Sequence, residues 1–137
     1  MRSKTIRAGD EEGLSDREVV EKALGALIGE ERRMWVTFEK AQSQNVIEVA
    51  VEPHHVLVSI PHKEPDGMLP LLKSRDVQIP NSWAVTKDKR KKLWSSGFLE
   101  MKVDRSHSGD VVDFIELIAQ RIFKWPEQIP LKATLQG

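Results

Sequence analysis

The chain has 137 residues, and its 21 Lys plus Arg balance 21 Asp plus Glu. A formal net charge of zero argues against a protein whose main task is holding nucleic acid, because such domains carry a basic excess. The absence of cysteine excludes a disulfide framework, thiol catalysis and cysteine metal sites.

The first residues, MRSKTIRAGDEEG, are polar and unpatterned, and residues 1–13 read as a flexible tail. Charge without an apolar segment behind it is not a secretory signal. No apolar run approaches the ~20 residues of a membrane-spanning helix, so a cytoplasmic protein is expected. Ser15 followed by Glu18 forms the capping-box pattern S-x-x-E, with Leu14 and Val19 at the flanking staple positions. Val19, Val20, Ala23, Leu24, Leu27 and Ile28 then recur with helical spacing, and Gly29 is placed to end the helix.

Three strands are predicted next. MWVTFEK, NVIEVAVE and HVLVSI alternate apolar and polar positions, with Val36 and Phe38, then Ile47, Val49 and Val51, then Val56, Val58 and Ile60 on single faces. Their short links, Ala41–Gln44 and Pro53–His54, permit only antiparallel hairpins. The segment from Pro61 to Ser82 is broken by prolines 61, 65, 70 and 80, yet it contains the apolar MLPLL. Met68, Leu69, Leu71 and Leu72 either close one end of the core or form a partner-binding surface, with Trp83 nearby.

Thr86 is placed to cap a short helix over Lys87–Ser96, with Gly97 as its stop. Leu99, Met101 and Val103 mark a fourth strand, and Val111, Phe114, Ile115, Ile118 and Ile122 mark a last helix from about Asp110 to Lys124. Pro126 ends that helix, and residues 126–137 read as a second tail. The expected fold is α+β: one domain over residues 14–125, an antiparallel meander of about four strands, covered by N-terminal and C-terminal helices.

The four histidines, His54, His55, His62 and His107, show no metal-ligand spacing. Neither a metal nor a cofactor is expected, and no residue is assigned a catalytic role. Ser, His and Asp cluster in DRSHSGDVVD around His107, but a triad is defined by geometry rather than proximity in sequence. The simpler reading is a strand-to-helix turn in which Ser108 or Asp110 accepts from free amides. An enzyme centred on the His107 loop stays as an alternative. The carboxylate pairs Glu11/Glu12 and Glu30/Glu31 read as solvated faces.

The loudest local signal is Lys87, Lys89, Arg90, Lys91 and Lys92, five bases within six positions. The span Lys73–Lys92 holds seven basic and two acidic residues, a local +5. Placed at a helix start, each cation opposes the macrodipole by about 0.3–1 kcal/mol, and Asp88 offsets part of this by pairing with Lys92 at i, i+4. Trp83 and Trp94 flank the run, so single-stranded nucleic acid could stack there. Balanced total charge favours a solvated helix face instead, ahead of an acidic protein partner, nucleic acid or anionic lipid. Trp94 is then expected in the core.

The opening helix followed by WVTF (Trp35–Phe38), the alternating pair NVIEVAVE and HVLVSI, the step LWSSGF (Leu93–Phe98) and the amphipathic helix after Asp110 together resemble the type III secretion chaperone-like superfamily, including its YbjN-like branch. The resemblance spans about Ser15 to Trp125. It implies a small non-enzymatic α+β module, often a homodimer, that binds a protein or peptide through apolar surface, here Met68, Leu69, Leu71, Leu72 and Trp83.

Overall fold

The computed structural model describes residues 3–9, 13–29 and 34–137. The carboxylate pairs Glu11/Glu12 and Glu30/Glu31 lie outside the described residues. In chain order the elements are β1 (Ser3–Arg7), α1 (Asp16–Ile28), β2 (Trp35–Lys40), β3 (Val46–Val51), β4 (His55–His62), α2 (Met68–Ser74), β5 (Ala84–Lys89), β6 (Gly97–Asp104), α3 (Gly109–Leu117) and β7 (Leu131–Gln136). A 3₁₀ turn over Arg105–His107 precedes α3, and a π-helical turn over Ile118–Ile122 continues it.

The fold is α+β, as the sequence indicates, but the sheet has seven strands rather than about four, in the order β1-β7-β2-β3-β4-β6-β5. All pairs are antiparallel. The extra strands come from segments that read as irregular. Both expected tails contribute: β1 pairs with β7, and β7 inserts beside β2, matching Phe38 with Ala133 and Val36 with Leu135. Leu131, Ala133 and Leu135 are buried. Their period-2 alternation is that of a half-buried strand, so β7 docks for the same reason as β2.

Alternation sends Val36, Phe38, Ile47, Val49, Val58, Ile60, Leu99 and Met101 to one face, all fully buried. Against it lie Val19, Ala23 and Leu27 of α1 and Val111, Phe114, Ile115 and Ile118 of the C-terminal helix. The predicted capping box is present: Ser15 Oγ accepts from the Glu18 amide and Glu18 Oε1 accepts from the Ser15 amide. Holding Glu18 in these bonds keeps its carboxyl below the usual range.

On the opposite sheet face the side chains of β2, β3, β4 and β6 are half-buried or exposed. Trp35, Ala50 and Leu57 form one cross-strand row on it, and Thr37, Glu48, Ser59 and Glu100 form the next. A one-sided sheet of this kind is the expected consequence of clean in/out alternation.

Candidate functional site

The run Lys87–Ser96 is not a helix. It forms the edge strand β5 and the tip of a β5–β6 hairpin, pairing Ala84 with Lys102, Val85 with Met101, Lys87 with Glu100 and Lys89 with Phe98. A bulge falls between Val85 and Lys87. The extra residue, Thr86, donates its hydroxyl hydrogen to the Glu100 side chain at 2.8 Å and lies 3.1 Å from the Glu100 carbonyl. Lys and Arg are good helix formers, which is why the local pattern misleads. Tertiary demands overrule it: the apolar strand β6 gains a second partner, and Asp88 reaches the start of α2.

Asp88 Oδ1 accepts from the Met68 amide at 3.2 Å. Gly67, at the N-cap of α2, has no side chain for that purpose, so β5 supplies the cap from a distance. The expected Asp88–Lys92 helical pair is therefore replaced by this contact. One step on, the Lys91 amide donates to the Glu64 carbonyl at 3.0 Å. Lys87 and Lys89 point the other way, with their ammonium groups 6.0 and 5.5 Å from the Phe98 ring centre, within cation–π range.

Beyond Lys91 the hairpin closes on itself. Lys92 and Ser95 exchange backbone hydrogen bonds at 3.0 and 3.3 Å, leaving Leu93 and Trp94 as the two central residues of the turn. Turns of this length usually take Gly, Asn or Asp there. Leu93 is 81 % exposed and Trp94 93 % exposed. Trp94 is thus not a core residue, contrary to the helical expectation. Every residue from Ala84 to Ser96 is exposed.

The root of the hairpin rests on His62, which is buried at the end of β4. Its Nδ1 accepts from the Glu64 amide at 3.0 Å, which leaves the hydrogen on Nε2, a buried atom without a partner. Burial pushes the imidazole below its ordinary value, opposed by the nearby charges of Asp88 and Glu64. Protonation would put a second hydrogen against the Glu64 amide. A depressed folded value means that this contribution to stability is complete above the ordinary imidazole value of about 6.5 and falls away as pH drops through the folded value. Urea unfolding at neutral and mildly acidic pH should therefore show a loss on acidification that is smaller in His62→Gln. An equal loss in both proteins would show that another group is responsible.

The remaining sequence candidates are dispersed. Met68, Leu72 and Trp83 are buried, and Leu69 and Leu71 are half-buried against the core. Trp83 packs on Phe114 at 4.8 Å between ring centres. Of the two readings of the apolar loop, closure of the core accounts for these side chains. His107 is exposed and, among the described residues, makes no side-chain hydrogen bond or ion pair. The neighbouring Ser106 donates both amide and hydroxyl to Asp104, holding that carboxyl below its usual range. Asp104, rather than Ser108 or Asp110, therefore organises the turn, and no nucleophile–base pair forms at His107. His54 is exposed, and His55 sits 2.9 Å from Glu52. Among the described residues no group of three or more His, Asp or Glu side chains is arranged to hold a metal.

A cleft of about 550 Å³ lies between α1, α3 and the approach to β7. Four of its charged side chains, Arg17, Glu116, Lys40 and Asp16, are held in ion pairs. Arg17 pairs with Asp113 at 2.8 Å and Glu116 at 3.0 Å, and Lys40 pairs with Asp16 at 2.8 Å. The β5–β6 tip is different: Leu93 and Trp94 project into solvent, and among the described residues its cations contact only the hairpin itself, Lys87 and Lys89 the Phe98 ring and Lys91 Nζ the Lys92 carbonyl. The chain matches no family model, no curated protein and no solved structure.

Proposed function

We propose that this protein is a non-enzymatic docking module that engages its partner through the β5–β6 hairpin. The observation that carries this reading is the placement of Leu93 and Trp94, 81 % and 93 % exposed, at the tip of a strand pair flanked by Lys89, Arg90, Lys91 and Lys92. Exposed large apolar residues beside each other are costly to solubility and informative about binding. Trp and Arg are also the residues that most often dominate binding energy. Lysines along β5 alone have a simpler reading, as guards against edge-to-edge pairing. That reading leaves Leu93 and Trp94 unexplained. The small non-enzymatic α+β module implied by the chaperone-like resemblance agrees with this function, although the apolar surface sits at the hairpin rather than at Met68–Leu72.

The double substitution Leu93→Ser, Trp94→Ser tests the reading. Neither side chain packs in the core, so the melting temperature should stay within about 2 °C of wild type, as for most surface substitutions. Partners retained by the wild-type chain from its host should be lost from the variant. Retention of the same partners would contradict the hairpin as the docking element.

A further inference from the structure

We infer that the surface met by this hairpin is an anionic lipid bilayer, which the tip enters superficially while its cations contact lipid phosphate and carboxylate groups. The inference rests on the docking reading above and names its partner.

Three features favour a bilayer. The first is shape. Leu93 and Trp94 stand alone at the convex end of a two-residue turn, and Lys91, Lys92, Ser95 and Ser96 around them are polar and exposed. A stable protein interface buries on the order of 800 Å² per partner around a central anchor, whereas a fluid interface can close around a small knob without a preformed pocket. The last contact with the body is the Lys91 amide on Glu64. Trp94 is three residues further, roughly 7–10 Å at strand spacing, which is comparable to the depth of the headgroup boundary.

The second feature is chemistry. Trp is enriched at membrane interfaces, where its ring is in apolar surroundings and its N–H stays wet. Leucine beside it adds apolar surface but offers nothing to a nucleobase. Lys89, Arg90, Lys91 and Lys92 follow without an intervening acid, and Asp88, the nearest one, is turned onto the Met68 amide. Such a juxtaposition of apolar tip and basic collar matches the combined apolar and electrostatic attraction of peripheral membrane anchors.

The third feature is what surrounds the hairpin. A nucleic-acid strand continuing from the tip across the outer sheet face would meet Glu100 and Glu48 interspersed with Lys102 and the ion-paired Glu39 and Lys132. Such a mixed face gives phosphate no continuous cationic track beyond the hairpin. Zero net charge removes any general affinity for polyanions, leaving a local contact that presents one end of the molecule to the surface.

Sedimentation with lipid vesicles tests the inference. The 137-residue chain should bind phosphatidylcholine vesicles containing about one-third phosphatidylserine, and binding should fall at least about tenfold when the serine lipid is omitted. Raising salt from about 50 mM to about 300 mM should weaken it by a similar factor. Leu93→Ser, Trp94→Ser should also weaken it about tenfold, with the melting temperature confirming an intact fold. Absence of binding to anionic vesicles, or binding unchanged in the double variant, overturns the membrane assignment. Tight binding of a mixed-sequence single-stranded DNA in place of vesicles overturns it in favour of nucleic acid. Should vesicles fail while a tip-dependent protein partner is retained, the docking function stands and the bilayer alone is removed.

Discussion

Gly97→Ala is expected to destabilise the protein by about 3 kcal/mol, at the upper end of the cost of overpacking. For a chain of this size that lowers the melting temperature by roughly 10 °C. Gly97 begins β6 directly opposite His62. A Cβ there would be driven into the Lys89 carbonyl and the Lys91 amide nitrogen as well as the His62 ring. Backbone atoms cannot turn aside as a flexible side chain can, so the hairpin root or the end of β4 must move. The same displacement should break the Lys91–Glu64 hydrogen bond and loosen the tip. Calorimetry measures the first effect, and faster amide exchange at Lys91 measures the second. A melting temperature within about 2 °C of wild type would mean that the close approach at Gly97 is not as drawn.

Asp16→Ala is expected to cost about 3–4 kcal/mol, whereas Lys40→Met should cost less than about 1 kcal/mol. The asymmetry follows from burial. The Lys40 side chain is 4 % exposed and that of Asp16 40 %. Lys40 Nζ bonds Asp16 Oδ2 at 2.8 Å and the Pro126 carbonyl at 2.8 Å, while Asp16 Oδ1 accepts from the Leu131 amide at 3.1 Å. Removing Asp16 leaves a buried ammonium without its counter-charge, frees the first amide of β7 and takes an acid from the first turn of α1. Removing the ammonium instead leaves an apolar chain of similar length, no buried charge is stranded, and the part-exposed Asp16 carboxylate and Pro126 carbonyl turn to water. Urea unfolding of the two variants gives both numbers. Equal costs would contradict the placement of this pair.

These two sites also show how much of the molecule was legible in its sequence. Where a local pattern and the core agree, the reading succeeds: the Ser15–Glu18 cap, the apolar stripe of α1 and the alternation of β2, β3 and β4 all occur where their spacing puts them. Helix α3 carries its predicted apolar face, but the chain leaves α-helical geometry at Ile118. The failures come where a partner distant in sequence decides. Nothing in SKTIR marks β1, which has one buried residue, Ile6, and exists by pairing with β7. LKATLQ does alternate, and its proximity to the chain end obscured a readable signal.

The basic run misleads for the same reason. Lys87–Lys92 favours a helix locally, and its strand form depends on β6, on the Asp88–Met68 contact and on Glu64. One clue was present. Adjacent Leu93 and Trp94 do not continue an apolar stripe at i, i+3 or i, i+4, as a half-buried helix would need. The site was therefore visible as composition but not as geometry. The basic residues stand out in the sequence, while the exposure of Leu93 and Trp94 depends on the hairpin.

Site-specific photo-crosslinking in the native host tests most directly whether the hairpin tip is the docking element. A photoreactive residue at position 94 should give abundant adducts, and the same group at Gln78, an exposed position away from the hairpin, should give few. Equal yields at both positions, or none at position 94, would contradict the claim.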